Sequence, residues 1–180
     1  MCQFNFLVIK REYNSDGFKE IASEYGLNFN EKKLNIINAD NLRTFITTKG
    51  ECDCGSVLGI NNSSDNSKPD LGKFQKKLER KRFSRNRINL LLEQKRKEYI
   101  VQKEDDTKKE FDEANKWINY LSDNRIKLKQ DQIGILYHQF SGDIETDTIN
   151  IKKESINPLS RLDIDFIKDI KENELSWIKI

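Results

Sequence analysis

The chain has 180 residues, of which 36% are hydrophobic and 34% charged, and its formal net charge is +2. This length is enough to bury a hydrophobic core, and the composition is typical of a soluble globular protein rather than a disordered one. No stretch approaches the roughly 20 apolar residues needed to span a bilayer, and the N-terminus lacks the pattern of a secretion signal. We therefore expect one cytoplasmic domain over residues 1–180.

The charges are unevenly distributed along the chain. Residues 73–103 carry 12 basic and 3 acidic side chains, whereas residues 104–180 carry 12 basic and 17 acidic ones. Residues 1–72 are also mildly acidic, with 8 basic and 10 acidic side chains. The protein as a whole is not basic, and the positive charge is a local feature that points to one surface.

The first sixty residues predict two strands and a helix. The segment FNFLVIK, residues 4–10, is rich in residues that favour strands, and LRTFITT, residues 42–48, has the same character. Between them a helix is expected, with Asn14 as its N-terminal cap and Gly26 at its end. Residues 1–60 are thus interpreted as N-terminal strands that lead into a loop with two cysteines.

The middle of the chain predicts a helical insert. Residues 61–72 are rich in turn-forming residues and are expected to be a flexible loop. Residues 73–128 then alternate apolar with basic or polar residues at helical spacing. Ser84 is a candidate cap for a second helix, and the sequence TKKE, which begins at Thr107, has the pattern of a capping box for a third.

Residues 129–180 return to sequence typical of strands. QIGILYHQF, residues 132–140, is followed by a turn and by DTINIKKESI, residues 147–156, which together predict a hairpin. A helix and a final strand, LSWIKI, should follow. The expected fold class is α+β, with a small antiparallel or mixed sheet and a helical insert between its N-terminal and C-terminal strands.

The cysteines and the single histidine suggest a metal site. The chain has three cysteines, Cys2, Cys52 and Cys54, and one histidine, His138. If the first and second long strands pair antiparallel, Cys2 and the Cys52–Cys54 loop fall at the same end of the sheet. Thiolates and imidazole are ligands that suit zinc or ferrous iron, and a Cys3His set is common in structural zinc sites. We predict a structural zinc site, with iron as the other metal considered.

Two other interpretations of these residues stay open. Cysteine is often buried as a small apolar residue, and His138 would then be an ordinary core histidine. Cys2 would become the first residue if Met1 were removed, and its own amine could then serve as the base for its thiol. The competing function is therefore a cysteine-dependent enzyme, either a hydrolase or amidotransferase-like, with Cys2 as nucleophile and His138 as the other candidate catalytic residue. The start of the chain resembles class II glutamine amidotransferases, but Gln3 stands where that family has glycine, so we transfer no activity.

Three short segments also resemble a group of small bacterial proteins without an assigned activity. These segments are MCQF at the start, TTKGECDCGSVLG at residues 47–59 and ILYHQFSG around residue 138. The resemblance covers about a quarter of the chain. It implies that Cys2, Cys52, Cys54 and His138 belong to one constellation, and it implies no substrate.

The basic block predicts a surface for a negatively charged macromolecule. Such a density of positive side chains could neutralise several phosphates of nucleic acid, or bind an acidic protein. A binding or adaptor module, or an immunity-type interaction domain without metal, would use the same surface, whereas basic amphipathic helices are also often simply solvated. The basic residues concerned are Lys73, Lys76, Lys77, Arg80, Lys81, Arg82, Arg85 and Arg87.

Overall fold

A computed structural model of the whole chain describes most of its residues. The residues described are 2–13, 15, 18–37, 39–48, 51–60, 70–123 and 131–180. Most of the predicted loop at residues 61–72, and the predicted cap Asn14, lie outside these ranges.

The described residues form eight strands, four α-helices and one short 3-10 helix. In chain order they are β1 Cys2–Lys10, α1 Phe18–Glu24, β2 Asn30–Glu31, β3 Asn35–Ile36, β4 Leu42–Ile46, α2 Leu71–Arg80, α3 Arg85–Leu121, β5 Gln132–Phe140, β6 Thr148–Ile149, β7 Lys153–Pro158, the 3-10 helix Leu159–Arg161, α4 Ile164–Asp169 and β8 Glu174–Lys179. The strands predicted around β1, β4, β5 and β8 are confirmed, as is the helix that follows β1.

A mixed six-stranded sheet organises the fold, in the order β2-β4-β1-β5-β8-β7. β1 pairs antiparallel with β4 on one side and with β5 on the other. β7 and β8 are parallel neighbours, which makes the sheet mixed, and β3 and β6 form a separate parallel pair. The predicted α+β class, with helices inserted between N-terminal and C-terminal strands, is confirmed.

Both faces of this sheet are buried. Successive residues of β1 point to opposite sides, and each set packs into its own hydrophobic cluster. Leu7 and Ile9 belong to one hydrophobic cluster, which also contains Trp117 from the end of α3. Phe6 and Val8 belong to a second cluster on the other face. This explains why the central strands are nearly continuous runs of apolar residues rather than alternating ones.

The chain divides into two compact units. One comprises Met1–Ser63 and Phe111–Ile180, and the other comprises Ser64–Glu110. The first contains the sheet and both hydrophobic clusters. The second contains α2 and most of α3, where Leu78 and Ile88 are buried.

α3 is longer than the sequence predicted, since no new helix begins at Thr107. The helix runs without interruption from Arg85 to Leu121, over a segment with neither glycine nor proline. The Thr107 hydroxyl donates a hydrogen bond to the Lys103 carbonyl oxygen at 2.8 Å, as occurs inside helices. The capping-box pattern was therefore misleading. Among the described residues neither this helix nor any other combines the length and the apolar character needed to cross a bilayer.

The predicted hairpin at residues 132–156 is not formed. β5 lies between β1 and β8, while β7 pairs with β8 and not with β5. β5 is buried over almost its whole length, so it needs neighbours that cover it on both edges and both faces. β7 is a sheet edge, on which Ile156 is 70% exposed. Strand pattern alone shows that a strand exists but does not identify its partner.

Candidate metal centre

The three cysteines meet at the beginning of β1. β4 pairs with β1 from Phe6 to Lys10, and the chain after β4 continues beside the first residues of β1. The backbone N–H of Thr47 donates to the Asn5 carbonyl oxygen at 3.2 Å, and the N–H of Asp53 donates to the Gln3 carbonyl oxygen at 2.7 Å. Antiparallel pairing therefore delivers the Cys52–Cys54 loop to Cys2, as the sequence predicted.

The geometry of the three thiols is compatible with a metal ion. The Sγ atoms of Cys2, Cys52 and Cys54 all lie within 4.8 Å of one another. A zinc–sulfur bond of about 2.3 Å in tetrahedral geometry separates two sulfur atoms by about 3.8 Å, so contraction of the cluster by about 1 Å at most would accommodate the ion. All three cysteines are free thiols, and Cys2 and Cys54 are exposed. The cluster is thus open to solvent.

Asp53, between the two loop cysteines, fixes the loop to β1. Its Oδ2 accepts a hydrogen bond from the backbone N–H of Asn5 at 2.7 Å, and a second one from the Thr48 hydroxyl. The carboxylate therefore replaces a missing strand neighbour for the edge of β1. Burial raises the pKa of Asp53, although the hydrogen bonds from Thr48 and Asn5 partly lower it.

A second set of hydrogen bonds holds the residues after the cysteines. The Asn5 side-chain amide donates to Ser56 Oγ at 2.8 Å, and the Ser56 hydroxyl donates to Glu113 Oε1 at 2.9 Å. The backbone N–H of Val57 donates to the other Glu113 oxygen at 3.1 Å. These contacts tie the loop to β1 and to the end of α3. The thiols are therefore placed by a hydrogen-bonded scaffold.

The local environment gives the loop thiols different acidities. The backbone N–H of Gln3 donates to Cys54 Sγ at 3.3 Å, and this bond, with a further contribution from Cys52, lowers the pKa of Cys54. The backbone N–H of Cys54 lowers the pKa of Cys52, but the neighbouring thiols of Cys54 and Cys2 outweigh it and leave that pKa raised. Cys54 is therefore the thiol that is more easily ionised, and thiolates are the forms that bind metals.

His138 is not part of the cysteine cluster, and its ring contacts Asn173 instead. It lies on β5 opposite Phe4, whereas the cysteine loop runs along the other edge of β1. His138 Nδ1 is 2.6 Å from the side-chain oxygen of Asn173, and the ring packs edge-on against Phe140. Asp147 and Glu172 carboxylate oxygens lie 3.8 and 3.7 Å from the two ring nitrogens. Among the described residues the group of possible metal ligands comprises the three cysteines without His138. The predicted Cys3His set is not assembled here.

Replacing Asp53 should test its role as the anchor of the loop. Burial raises the pKa of Asp53 in the folded protein, so the folded state favours the protonated carboxyl group. This contribution to the free energy of unfolding is fully present at low pH and is lost as the pH rises through the folded pKa. Asp53→Asn keeps an acceptor and removes this loss, so we expect unchanged or slightly higher stability at pH 7 and a flatter profile above pH 4.

Asp53→Ala is the contrasting variant, because it leaves the Asn5 N–H without its acceptor. We expect it to lower the free energy of unfolding by about 2 kcal/mol at pH 7. Urea unfolding at several pH values measures both variants. Equal destabilisation by Asp53→Asn and Asp53→Ala would show that the negative charge itself holds the loop.

The predicted basic residues lie in the second unit, and all eight are exposed. Lys73, Lys76, Lys77, Arg80 and Lys81 line one shallow surface of α2. The Asp70 carboxylate caps this helix by accepting from the Lys73 N–H at 2.9 Å. Arg87 lies with its guanidinium 4.8 Å from the centre of the Phe83 ring, just after the turn between α2 and α3. The helix thus presents a row of cations to solvent.

Comparison with known proteins adds no family to these observations. The chain matches no protein-family model, no curated protein and no solved structure. The class of protein is therefore defined by its α+β fold and by a cysteine cluster that could hold a metal ion.

The positioning residues of the site were not found from the sequence. Asn5 is buried within an otherwise apolar strand, and Glu113 lies in a helix far along the chain. A buried asparagine in a strand of Phe, Leu, Val and Ile is a signal of a required hydrogen-bond partner. The partners themselves depend on long-range contacts that spacing does not reveal.

Proposed function

We propose that the protein binds one thiophilic metal ion, zinc, through Cys2, Cys52 and Cys54. The observation that supports this is the mutual approach of the three Sγ atoms to within 4.8 Å. Thiolates favour zinc over magnesium or calcium, and zinc accepts the range of geometries that a surface loop can offer. We place the function in the cytoplasm, because three free thiols are kept reduced there.

The proposed ion would have three protein ligands and one open position. Among the residues described, no fourth cysteine, histidine or carboxylate belongs to the cluster. Zinc sites with three protein ligands hold a water or an external ligand in the fourth position. The proposed site is consequently accessible and exchangeable, rather than closed like the structural site that the sequence predicted.

Metal analysis tests the proposal directly. We expect elemental analysis of the freshly purified protein, or titration with Zn²⁺ against a chromophoric chelator, to give about one ion per chain. Substitution by Co²⁺ should produce thiolate-to-metal charge-transfer absorption. Absence of uptake with all three thiols titratable would contradict the proposal.

Thiol chemistry is the second candidate function, favoured by one observation. Cys54 is exposed and its pKa is lowered by the Gln3 N–H, and these properties characterise reactive thiols. The enzyme considered from the sequence, with Cys2 as nucleophile, would draw on the amine of Cys2 itself as base, because His138 bonds instead to Asn173. Rapid alkylation of Cys54 in a protein that takes up no metal would favour thiol chemistry over metal binding.

We also propose that the row of cations on α2 binds nucleic acid. Lys73, Lys77 and Arg80 are exposed and close enough along the helix to contact neighbouring phosphates. Phosphate contacts of this kind are sequence-independent and weaken steeply with salt. The occupant proposed is therefore a nucleic acid backbone, bound without base readout.

Charge reversal on α2 tests this proposal. The triple variant Lys73→Glu, Lys77→Glu and Arg80→Glu should reduce oligonucleotide affinity by at least tenfold and reduce the slope of log K against log salt by about 2 to 3. The control variant Lys19→Glu, Lys33→Glu and Lys153→Glu changes the net charge equally at exposed positions of the other unit. Fluorescence polarisation measures both. Equal weakening by the control, or retention only of acidic proteins, would contradict nucleic acid binding.

A further inference from the structure

The part of α3 within the second unit is exposed to solvent over most of its surface, including two adjacent apolar residues. From Glu93 to Lys109 every residue except Tyr99 is exposed, so this part of the helix has little packing support. Helices in proteins gain most of their stability from packing of one face rather than from intrinsic propensity. Ile100 and Val101, at its middle, are 54% and 57% exposed. Because Ile100 and Val101 are adjacent, their exposed apolar surfaces form one small continuous patch in the middle of this segment.

These two residues belong to a continuous stripe, which we call the outer face. One side of the helix carries residues spaced alternately three and four apart, with one apolar residue among polar and charged ones: Gln94, Lys97, Val101, Glu104 and Lys108. Glu93, Ile100 and Thr107 each precede a member of this series and widen the same stripe. The half-buried Leu92 and Tyr99 lie on the opposite side of the helix. The outer face is thus independent of the side that packs within the second unit.

The order of residues along the outer face is complementary to its own reverse. An antiparallel helix pair with its two-fold axis beside Ile100 and Val101 brings these apolar residues of both copies together. The same axis sets Lys97 opposite Glu104 of the second copy, and Glu104 opposite its Lys97. It also sets Glu93 opposite Lys108 of the second copy. No like charges oppose each other along the middle of this stripe.

Other details of the helix agree with this arrangement. Among the residues described, Glu93, Lys97, Glu104 and Lys108 form no ion pair within the chain, so their charges are available. A shallow groove of about 380 Å³ borders this stripe, lined by Ile100, Glu104 and Thr107 and, from the adjoining side of the helix, by Tyr99 and Lys103. A self-complementary patch is what a two-fold dimer requires.

We propose that the protein forms an antiparallel homodimer through the outer face of α3, with a second copy of the chain as its occupant. The proposal is independent of the metal site. The face extends over about 24 Å from Glu93 to Lys108, at 1.5 Å per residue. An interface of one helix per chain is at the small end of specific interfaces, so the dissociation constant should be on the order of 10 µM.

Sedimentation velocity of the full chain, from about 1 to about 300 µM, should show a concentration-dependent monomer–dimer equilibrium. Lys97→Glu places a second carboxylate against Glu104 of the second copy, and Glu104→Lys places two lysines together. Each variant alone should weaken dimerisation by at least tenfold, because each creates two like-charge contacts. An equimolar mixture should recover the wild-type dimer, since the two variants are complementary in the heterodimer.

Lys95→Glu is the control for the charge change, because Lys95 lies on the other side of the helix, where it forms an ion pair with Glu98 at 3.6 Å. It should leave dimerisation unchanged, and circular dichroism should show equal helix content in all variants. A wild-type chain that stays monomeric over the whole range would overturn the proposal. A dimer that is unaffected by Lys97→Glu, or a mixture that fails to restore association, would overturn it as well.

Discussion

The double variant Cys52→Ser and Cys54→Ser should lose metal binding almost completely, with an apparent zinc affinity at least a thousandfold below wild type. Two of three thiolate ligands are removed, and a serine hydroxyl remains protonated and is a poor ligand for zinc. Competition with a chelator of known affinity measures the change. The wild type should also gain thermal stability when zinc is added, because the ion binds only the folded arrangement of the loop and β1.

The zinc affinity of single cysteine variants, and its dependence on pH, tests the contribution of each thiol. Cys2→Ser should weaken binding nearly as much as either loop variant, because Cys2 alone connects the ion to β1. Zinc affinity should rise with pH, since the thiols must ionise, and the raised pKa of Cys52 makes that thiol ionise after Cys54. If Cys2→Ser left the stoichiometry and the affinity unchanged, the ion would be held by a different set of ligands.

His138→Ala is the control for the ligand set, because the imidazole interacts with Asn173 and not with the cysteines. We expect unchanged zinc stoichiometry, with some loss of stability from the buried ring. Loss of the metal in His138→Ala with the fold intact would restore the Cys3His set that the sequence predicted.

Gly59→Ala should be one of the most damaging substitutions in the first unit, with a cost of about 3 kcal/mol or more in the free energy of unfolding. A Cβ atom there would lie 2.5 Å from the Ile170 carbonyl oxygen and 2.5 Å from Cε1 of Tyr137. The backbone φ of +70° adds strain for any residue with a side chain. The Gly59 N–H also donates to the Ile167 carbonyl oxygen at 3.0 Å, which fixes the loop against α4.

Gly55→Ala is the matched comparison, since it shares the positive φ but not the crowding. Its φ is +86°, and a Cβ atom would have no neighbour within 4 Å. Only the conformational cost applies, so we expect a loss of about 1 kcal/mol. Urea unfolding of the two variants separates backbone strain from close packing. Equal losses would show that Ile170 and Tyr137 move aside at little cost.

The individual elements of the sheet were largely predictable from local sequence. β1, β4, β5 and β8 are short runs of apolar and β-branched residues, and each is buried in the structure. Such runs predict buried strands, and they can be recognised from the local composition alone. The predicted site depended on antiparallel pairing of the two N-terminal strands, and β1 and β4 do pair in this way, which brings Cys2 near Cys52 and Cys54.

Local sequence was misleading where two arrangements satisfy the same pattern. Thr107 and the residues after it fit the start of a helix, but they fit the interior of a helix equally well. Because the sequence on both sides also favours helix, the helix continues through Thr107 without interruption. Residues 132–156 fit a hairpin, but β5 is covered by β1 and β8 from the two ends of the chain. The contacts of β5 with β1 and β8 join residues that are distant in sequence, so no local turn motif predicts them.

The sequence by itself determined the fold class, the position of the basic block and the thiols from which a metal site can be built. Only the tertiary structure decided which potential ligands meet. Cys52 and Cys54 reach Cys2 because their loop continues along the free edge of β1, where Asp53 replaces a strand partner. His138 lies across the opposite edge of β1, held by Asn173, because β5 fills that side of the sheet. The physical reason is that a strand has two edges, and only long-range pairing determines what occupies each of them.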